Sequence, residues 1–412
     1  MTLILISDFM QDEIYLNEEV KLYKNFDRVV LFTVKGHVYS NNRLTIPDYI
    51  EVGDLDIQYG SIFDKAKCLF RGIFNKESLS ELSYLIKSRK LSLNSIKSYA
   101  LFSAKTYLIY KKIEKKLNEL SIDTSDPIVF YSYRVGFSSL ACCKLKKIYY
   151  KSKVVSRAHA QDIFEFRNKD YYLPYRSYVY NNLNEIYCIS NDGMNYLSNN
   201  YKELKNKLFI YRLGTKNISI NKNINNKKFI ILTCSRIVKI KRLHILAETL
   251  KNIKDIDITW VHYGDGDSDY LRFIKEILKK CGPNIKVKFK GFVNNDDYLK
   301  KISIEPYSVF INISESEGLP VSIMEAESAG LPIIATDVGG TSEAVIDNYN
   351  GILLDKDFTT NDLENSILKF SSMDINEFNE FRNNSRSIWE SKFKLSENYK
   401  VFIEHIKELE WN

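Results

Sequence analysis

The sequence predicts an α/β protein of two doubly wound domains, each a parallel sheet covered by helices. Three observations carry this prediction. The chain has 412 residues, 44% of them apolar and 27% charged; that is about 2.7 times a ~150-residue domain, enough to fill two cores and too apolar for a disordered chain. Short β-type runs alternate along it with longer amphipathic stretches. Most of those runs are continuously apolar rather than alternating, as strands buried on both faces should be.

Taken in order, strands are expected at residues 3–8, 28–34, 128–133, 153–158, 185–190 and 208–212. A second series is expected at 229–234, 258–263, 287–290, 309–313, 333–336 and 351–354. Residues 82–120 read as mainly helical, with Ile109, Ile113, Leu117 and Leu120 at helical spacing. Segment 216–228 is rich in Asn and Lys and poor in large apolar side chains, so it reads as an interdomain linker. The expected organisation is therefore an N-terminal domain over 1–215, the linker 216–228 and a C-terminal domain over 229–389. Two doubly wound domains joined by a hinge place a ligand cleft at the C-terminal ends of their strands.

Charge is unevenly distributed. The net value is +7, but residues 1–215 carry 32 basic and 23 acidic side chains and residues 216–412 carry 27 and 29. Segment 61–120 alone holds 13 basic and 5 acidic residues, among them Lys105, Lys111, Lys112, Lys115 and Lys116. Such a stretch is either the solvated face of a packed helix or a surface that meets anionic lipid headgroups. No run reaches the ~18 apolar residues of a membrane span. The first eight residues have no basic region, and their apolar run is too short for a signal peptide. Six cysteines without CxxC spacing are read as free thiols in a reducing cytoplasm rather than as disulfides or a zinc site.

The chemistry concentrates in residues 315–332, ESEGLPVSIMEAESAGLP. The strand at 309–313 runs into a polar turn; Pro320 sits just inside a helix start, and Gly330 with Pro332 ends that helix. A helix N-terminus presents free backbone N–H groups that bind phosphate. Glu317 in the loop and Glu325 about two turns along can face one mouth, and each carboxylate can accept two sugar hydroxyls. Glu315 and Glu327 read instead as helix-end charge stabilisation. After the strand at 229–234, Arg236 and Lys241 overhang the same sheet edge and supply the cations a diphosphate leaving group needs. Gly264 and Gly266 permit close backbone approach, and Gly339-Gly340 ends another strand at that edge.

In that order, Arg236 with Lys241, Gly264-x-Gly266, Gly291-Phe292-Val293, Glu317-x₇-Glu325 and Gly339-Gly340 with Glu343 resemble the donor half of retaining glycosyltransferase family 4. More loosely, residues 11–19 resemble the N-terminal helix of its bacterial polysaccharide and lipopolysaccharide members. Residues 156–162 resemble their strand-end His segment, and 389–402 the tail helix that crosses back to the N-terminal domain. The resemblance implies the GT-B fold, two Rossmann-like domains facing a central cleft, with 390–412 packed on the N-terminal domain.

Carried over by position, it implies that Glu317 touches the donor sugar and Glu325 the ribose hydroxyls. Arg236 and Lys241 then hold the diphosphate with the backbone of Gly318 and Leu319, and His159 leans toward the donor sugar. Phe292 falls where the family holds the base, or serves an ordinary core. The first loop reads Ser7-Asp8-Phe9-Met10-Gln11-Asp12 where many members have glycines, and Ser235 and Arg242 stand where glycines usually flank the cations. The implied activity is retaining transfer of a hexosyl unit from a nucleotide-sugar to a glycan or lipid-linked glycan, for lipopolysaccharide or capsule. It needs no cofactor and no obligatory metal, and proceeds in the cytoplasm, peripheral to the inner face of the membrane through 61–120. The alternatives are a catalytically inactive subunit that chaperones another transferase and a nucleic-acid binder; for the latter no reading motif is present.

Overall fold

The computed structural model describes residues 1–8, 13–34, 46–55, 61–220 and 228–409. The loop over 9–12, including Gln11 and Asp12, lies outside them, as do 221–227 of the segment expected to be a linker. Among the described residues, thirteen parallel strands form two sheets. The first contains β1 (Thr2–Ser7), β2 (Arg28–Thr33), β3 (Ile50–Asp54), β4 (Ile128–Ser132), β5 (Ser152–Ala158), β6 (Glu185–Cys188) and β7 (Leu208–Ile210). The second contains β8 (Phe229–Cys234), β9 (Ile258–Tyr263), β10 (Ile285–Phe289), β11 (Val309–Asn312), β12 (Ile333–Thr336) and β13 (Gly351–Leu354).

Their orders are β3-β2-β1-β4-β5-β6-β7 and β10-β9-β8-β11-β12-β13. Each is the doubly wound order, whose direction reverses between β1 and β4 in one sheet and between β8 and β11 in the other. All twelve expected strands form, with ends shifted by a few residues. β3 was not foreseen, because Ile50-Glu51-Val52-Gly53-Asp54 is an edge strand whose Val52 is exposed and whose Glu51 pairs with Arg28 at 2.5 Å.

The chain divides into Met1–Tyr211 with Tyr399–Asn412, and Arg212–Asn398. In the first unit, alternate residues of one strand enter different cores: Ile4 and Ile6 join Val30 and Phe130 on one face, Leu3 and Leu5 join Val29 and Tyr131 on the other. The second face is closed by Phe402, Ile403 and Ile406 of the last helix, Leu395–Lys407. Beneath it Arg157 is wholly buried: it donates to Tyr131 Oη at 2.9 Å and to Glu19 at 3.1 Å, and its guanidinium lies 4.3 Å from the Phe402 ring centre. In the second unit, residues 216–220 pack on the domain itself, Lys216 accepting from Ser328 Oγ at 3.0 Å and Ile218 from Arg386 at 2.9 Å.

Candidate functional site

At the C-terminal edge of the second sheet, the exits of β8 and β9 are stitched together. Ser235 N donates to Tyr263 O (3.0 Å), Ile237 N to Asp265 O (3.0 Å) and Asp267 N to Ile237 O (2.8 Å). A Cβ on Gly264, whose φ is +129°, would strike the Ser235 carbonyl, and one on Gly266 the backbone of Ile237. The two glycines are thus what lets these exits close on each other. Asp265 in turn accepts from Phe292 N at 2.8 Å. The Phe292 ring is 72% exposed, which rules out the core role considered for it.

Arg236 stands exposed at the β8 exit. Lys241 ends a short turn, and its Nζ meets Glu317 Oε1 at 2.6 Å. Arg242, where the resembled family has glycine, takes the left-handed conformation (φ +52°) and donates to Lys356 O at 2.6 Å. The backbone thus keeps a glycine-like turn beside Lys241, at a strain of roughly 1 kcal/mol.

The loop before the next helix is held from both flanks. Glu315 N donates to Ile240 O at 2.8 Å, and Gly340 N to Gly318 O at 2.6 Å. Gly339, at φ +58°, lies so close that a Cβ would strike the Glu317 carbonyl. The helix runs Val321–Ser328 with Pro320 as its N-cap, one position earlier than expected, and no acidic side chain occupies its first turn. Its opening N–H groups therefore keep their positive potential. Gly318 is half-buried and Leu319 buried.

Glu325 lies about one turn into the helix, not two. It is 6% exposed and accepts from Asn295 Nδ2 at 2.6 Å. Burial pushes its carboxyl up to about 7 against the opposing Asn295 bond. Cys234, at the end of β8, is pushed up to about 12 by burial and then by the nearby Glu325 carboxyl, with Tyr298 and Lys241 opposing. Arg236, Lys241, Glu317, Gly318 and Glu325 thus gather at one sheet edge.

Glu327 corrects an expectation. It is wholly buried, accepts from Asn350 Nδ2 at 2.9 Å, and burial holds its carboxyl well above the usual range. It is an interior hydrogen-bonding group, not a helix-end charge. Asn295 and Asn350 had no signal in the sequence, since their roles depend on which carboxylate the fold brings to them. Glu343 accepts from Arg212 at 2.7 Å.

His159 belongs to the first unit. It follows β5, its N donates to Asp162 Oδ2 at 3.2 Å, and its ring centre lies 5.5 Å from that of Tyr133. Burial first, then the positive Arg134 and Arg157, hold the imidazole well below its ordinary value. It is neutral at neutral pH. Glu19, inside the segment resembling the family's N-terminal helix, proves to be the buried partner of Arg157.

Residues 215–388 match the family described as Glycosyl transferases group 1. An uncharacterized glycosyltransferase of Methanocaldococcus jannaschii is 30% identical over 213 residues, 51% of this chain and 56% of that protein. The GtfA subunit of a UDP-N-acetylglucosamine–peptide N-acetylglucosaminyltransferase of Streptococcus agalactiae is 28% identical over 190 residues, 44% of this chain and 36% of its own. The O-antigen biosynthesis glycosyltransferase WbnH of Escherichia coli is 31% identical over 133 residues, 32% of this chain and 35% of its own. The chain thus spans little more than half of the first of these relatives, and less of the others. Among solved structures, Anabaena HepE in complex with UDP and glucose aligns over 99% of this chain and 100% of its own, with a TM-score of 0.66 at 15% identity. The sucrose-phosphate synthase of Thermosynechococcus elongatus aligns over 99% of both chains with a TM-score of 0.72 at 14% identity. The fold is GT-B, and the match to the group 1 glycosyl transferases lies within its second unit.

Proposed function

We propose that this chain, a GT-B protein whose residues 215–388 match the group 1 glycosyl transferases, transfers a hexosyl unit from a nucleoside-diphosphate sugar to a hydroxyl of a glycan, retaining the anomeric configuration and needing no metal. The observation that carries this reading is the convergence of Arg236, Lys241, Glu317 and Glu325 with an uncapped helix N-terminus. Departure of a diphosphate builds negative charge, which Arg236, Lys241 and the backbone N–H groups of Gly318, Leu319, Val321 and Ser322 neutralise. Lys241 exchanges its Glu317 partner for phosphate when donor arrives, freeing the Glu317 carboxylate to accept from a sugar hydroxyl. Glu325, ionised, accepts from the two ribose hydroxyls. Neutral His159 offers a hydrogen bond to the sugar from the acceptor side. No enzymic nucleophile is assigned; attack from the face of the departing phosphate, with that phosphate as base, accounts for retention.

The HepE structure holds UDP and glucose, which favours a UDP-sugar as donor. The acceptor is a growing lipid-linked glycan of a cell-surface polysaccharide, in keeping with the O-antigen role in the name of WbnH. The enzyme then works at the cytoplasmic face of a membrane, met through 61–120. The test is a thermal-shift screen of nucleotide-sugars, followed by product analysis with the responding donor in EDTA. Lys241→Ala and Glu325→Ala are each expected to lower kcat/KM at least ~100-fold; near-normal turnover in both would sink the assignment.

A further inference from the structure

Exposed large apolar side chains are not spread evenly over the molecule. Twelve of the 28 among the described residues fall between Ile62 and Leu101, a concentration that marks an interaction surface. The helix Ile62–Ile73 shows how it arises. Its inner face is small: Cys68 is buried, and Gly72 approaches the backbone of Ser103 in the long helix Leu93–Glu119 too closely for any Cβ. That close packing turns the large residues outward. Ile62 and Phe63 are each 86% exposed, Phe70 59% and Phe74 65%, with the Phe70 and Phe74 rings 4.5 Å apart.

Charge around this ridge is sorted by sign. Lys65, Lys67, Arg71, Lys87, Arg89 and Lys97 are exposed. Of the three acidic residues over 61–101, Glu81 is buried and accepts from Tyr172 Oη and Tyr175 N. Glu77 pairs with Lys144 and Lys147, and Asp64, the one exposed acid of the three, caps its own helix at Ser61. The outward face is therefore apolar and cationic together, the complement of an anionic bilayer.

We propose that this face docks on an anionic lipid bilayer by insertion. Ile62, Phe63, Phe70 and Phe74 enter the boundary between headgroups and acyl chains, and the flanking lysines and arginines meet lipid phosphates. This sharpens the membrane part of the proposed function and rests on it only for its purpose, delivery of the enzyme to a lipid-linked acceptor. The surface itself is independent of the donor site.

The test uses the full chain and vesicles of phosphatidylcholine with or without phosphatidylglycerol. The protein is expected to float with the anionic vesicles and not with the neutral ones. Phe63→Trp is expected to gain a blue-shifted emission quenched by brominated lipid. The triple variant Phe63→Ala/Phe70→Ala/Phe74→Ala, altered only at exposed positions, is expected to lose vesicle affinity roughly tenfold or more while keeping the wild-type melting profile and nucleotide response. Three outcomes overturn the proposal: no flotation at low salt, equal flotation of the triple variant, or a wild-type dimer in light scattering that the triple variant abolishes. Vesicle binding without any response to nucleotide-sugars would leave the docking intact and remove the transferase reading instead.

Discussion

Glu325 condenses the tension between folding and binding into one carboxyl group. Its raised value, about 7, means that the folded state holds the proton more tightly than the unfolded chain does. Stability from this group is present below the ordinary carboxylate value and is lost as pH rises toward 7, by about 3 kcal/mol at most. Glu325→Gln keeps a carbonyl for Asn295 and removes the ionisation. It is expected to melt above wild type at pH 8 and level with it at pH 4, while binding nucleotide less tightly at both. Calorimetry at the two pH values with and without nucleotide checks both halves. Two neighbours show where residue-scale reading succeeds and where it stops. The family pattern marked Arg242 as standing where glycine is usual, and the structure finds it at φ +52°. The Glu317-x₇-Glu325 spacing separated Glu325 from Glu327, which stands about 200° round the helix, but it showed neither that both are buried nor which amide each would meet. One carboxyl meets Asn295 and the other Asn350.

At the scale of elements, the strand–loop–helix unit over 309–328 was legible from its polar turn, Pro320 and Gly330. Its tightness was not. The Glu317–Gly318 carbonyls are gripped by Gly339 and Gly340, which lie beyond the next strand, β12. Gly339→Ala combines a left-handed backbone with a steric clash, and is expected to destabilise the protein by roughly 1–3 kcal/mol and to abolish the thermal shift with nucleotide-sugar. The last helix carries a second prediction. Phe402 is fully buried against Tyr131, Tyr187 and the Arg157 guanidinium. Phe402→Ala is expected to cost roughly 3–5 kcal/mol and to bring forward the melting of the unit that contains Met1–Tyr211, leaving the response to nucleotide intact. Periodicity also missed β3, since an edge strand of alternating polar character carries little apolar signal.

At the scale of the whole molecule, the +7 net charge averages two unlike units. The unit built on Arg212–Asn398 sets Arg236 and Lys241 at one sheet edge. The other carries the basic, apolar ridge over 62–101, and its docking experiment belongs to this scale because neither charge nor exposure alone defines the surface.

Sequence by itself determined twelve of the thirteen strands among the described residues, the doubly wound class and the strand–loop–helix unit over 309–328. Those depend on local apolar runs, turn residues and spacing, which are written contiguously along the chain. Only the tertiary structure decided that Lys241 rests on Glu317, that Glu325 is buried against Asn295, that Phe292 is exposed and that Phe63, Phe70 and Phe74 point outward. Each of these is set by which distant backbone comes close, Gly72 against Ser103 or Gly339 against Glu317. A side chain's exposure and ionisation follow from that proximity and not from its neighbours in sequence.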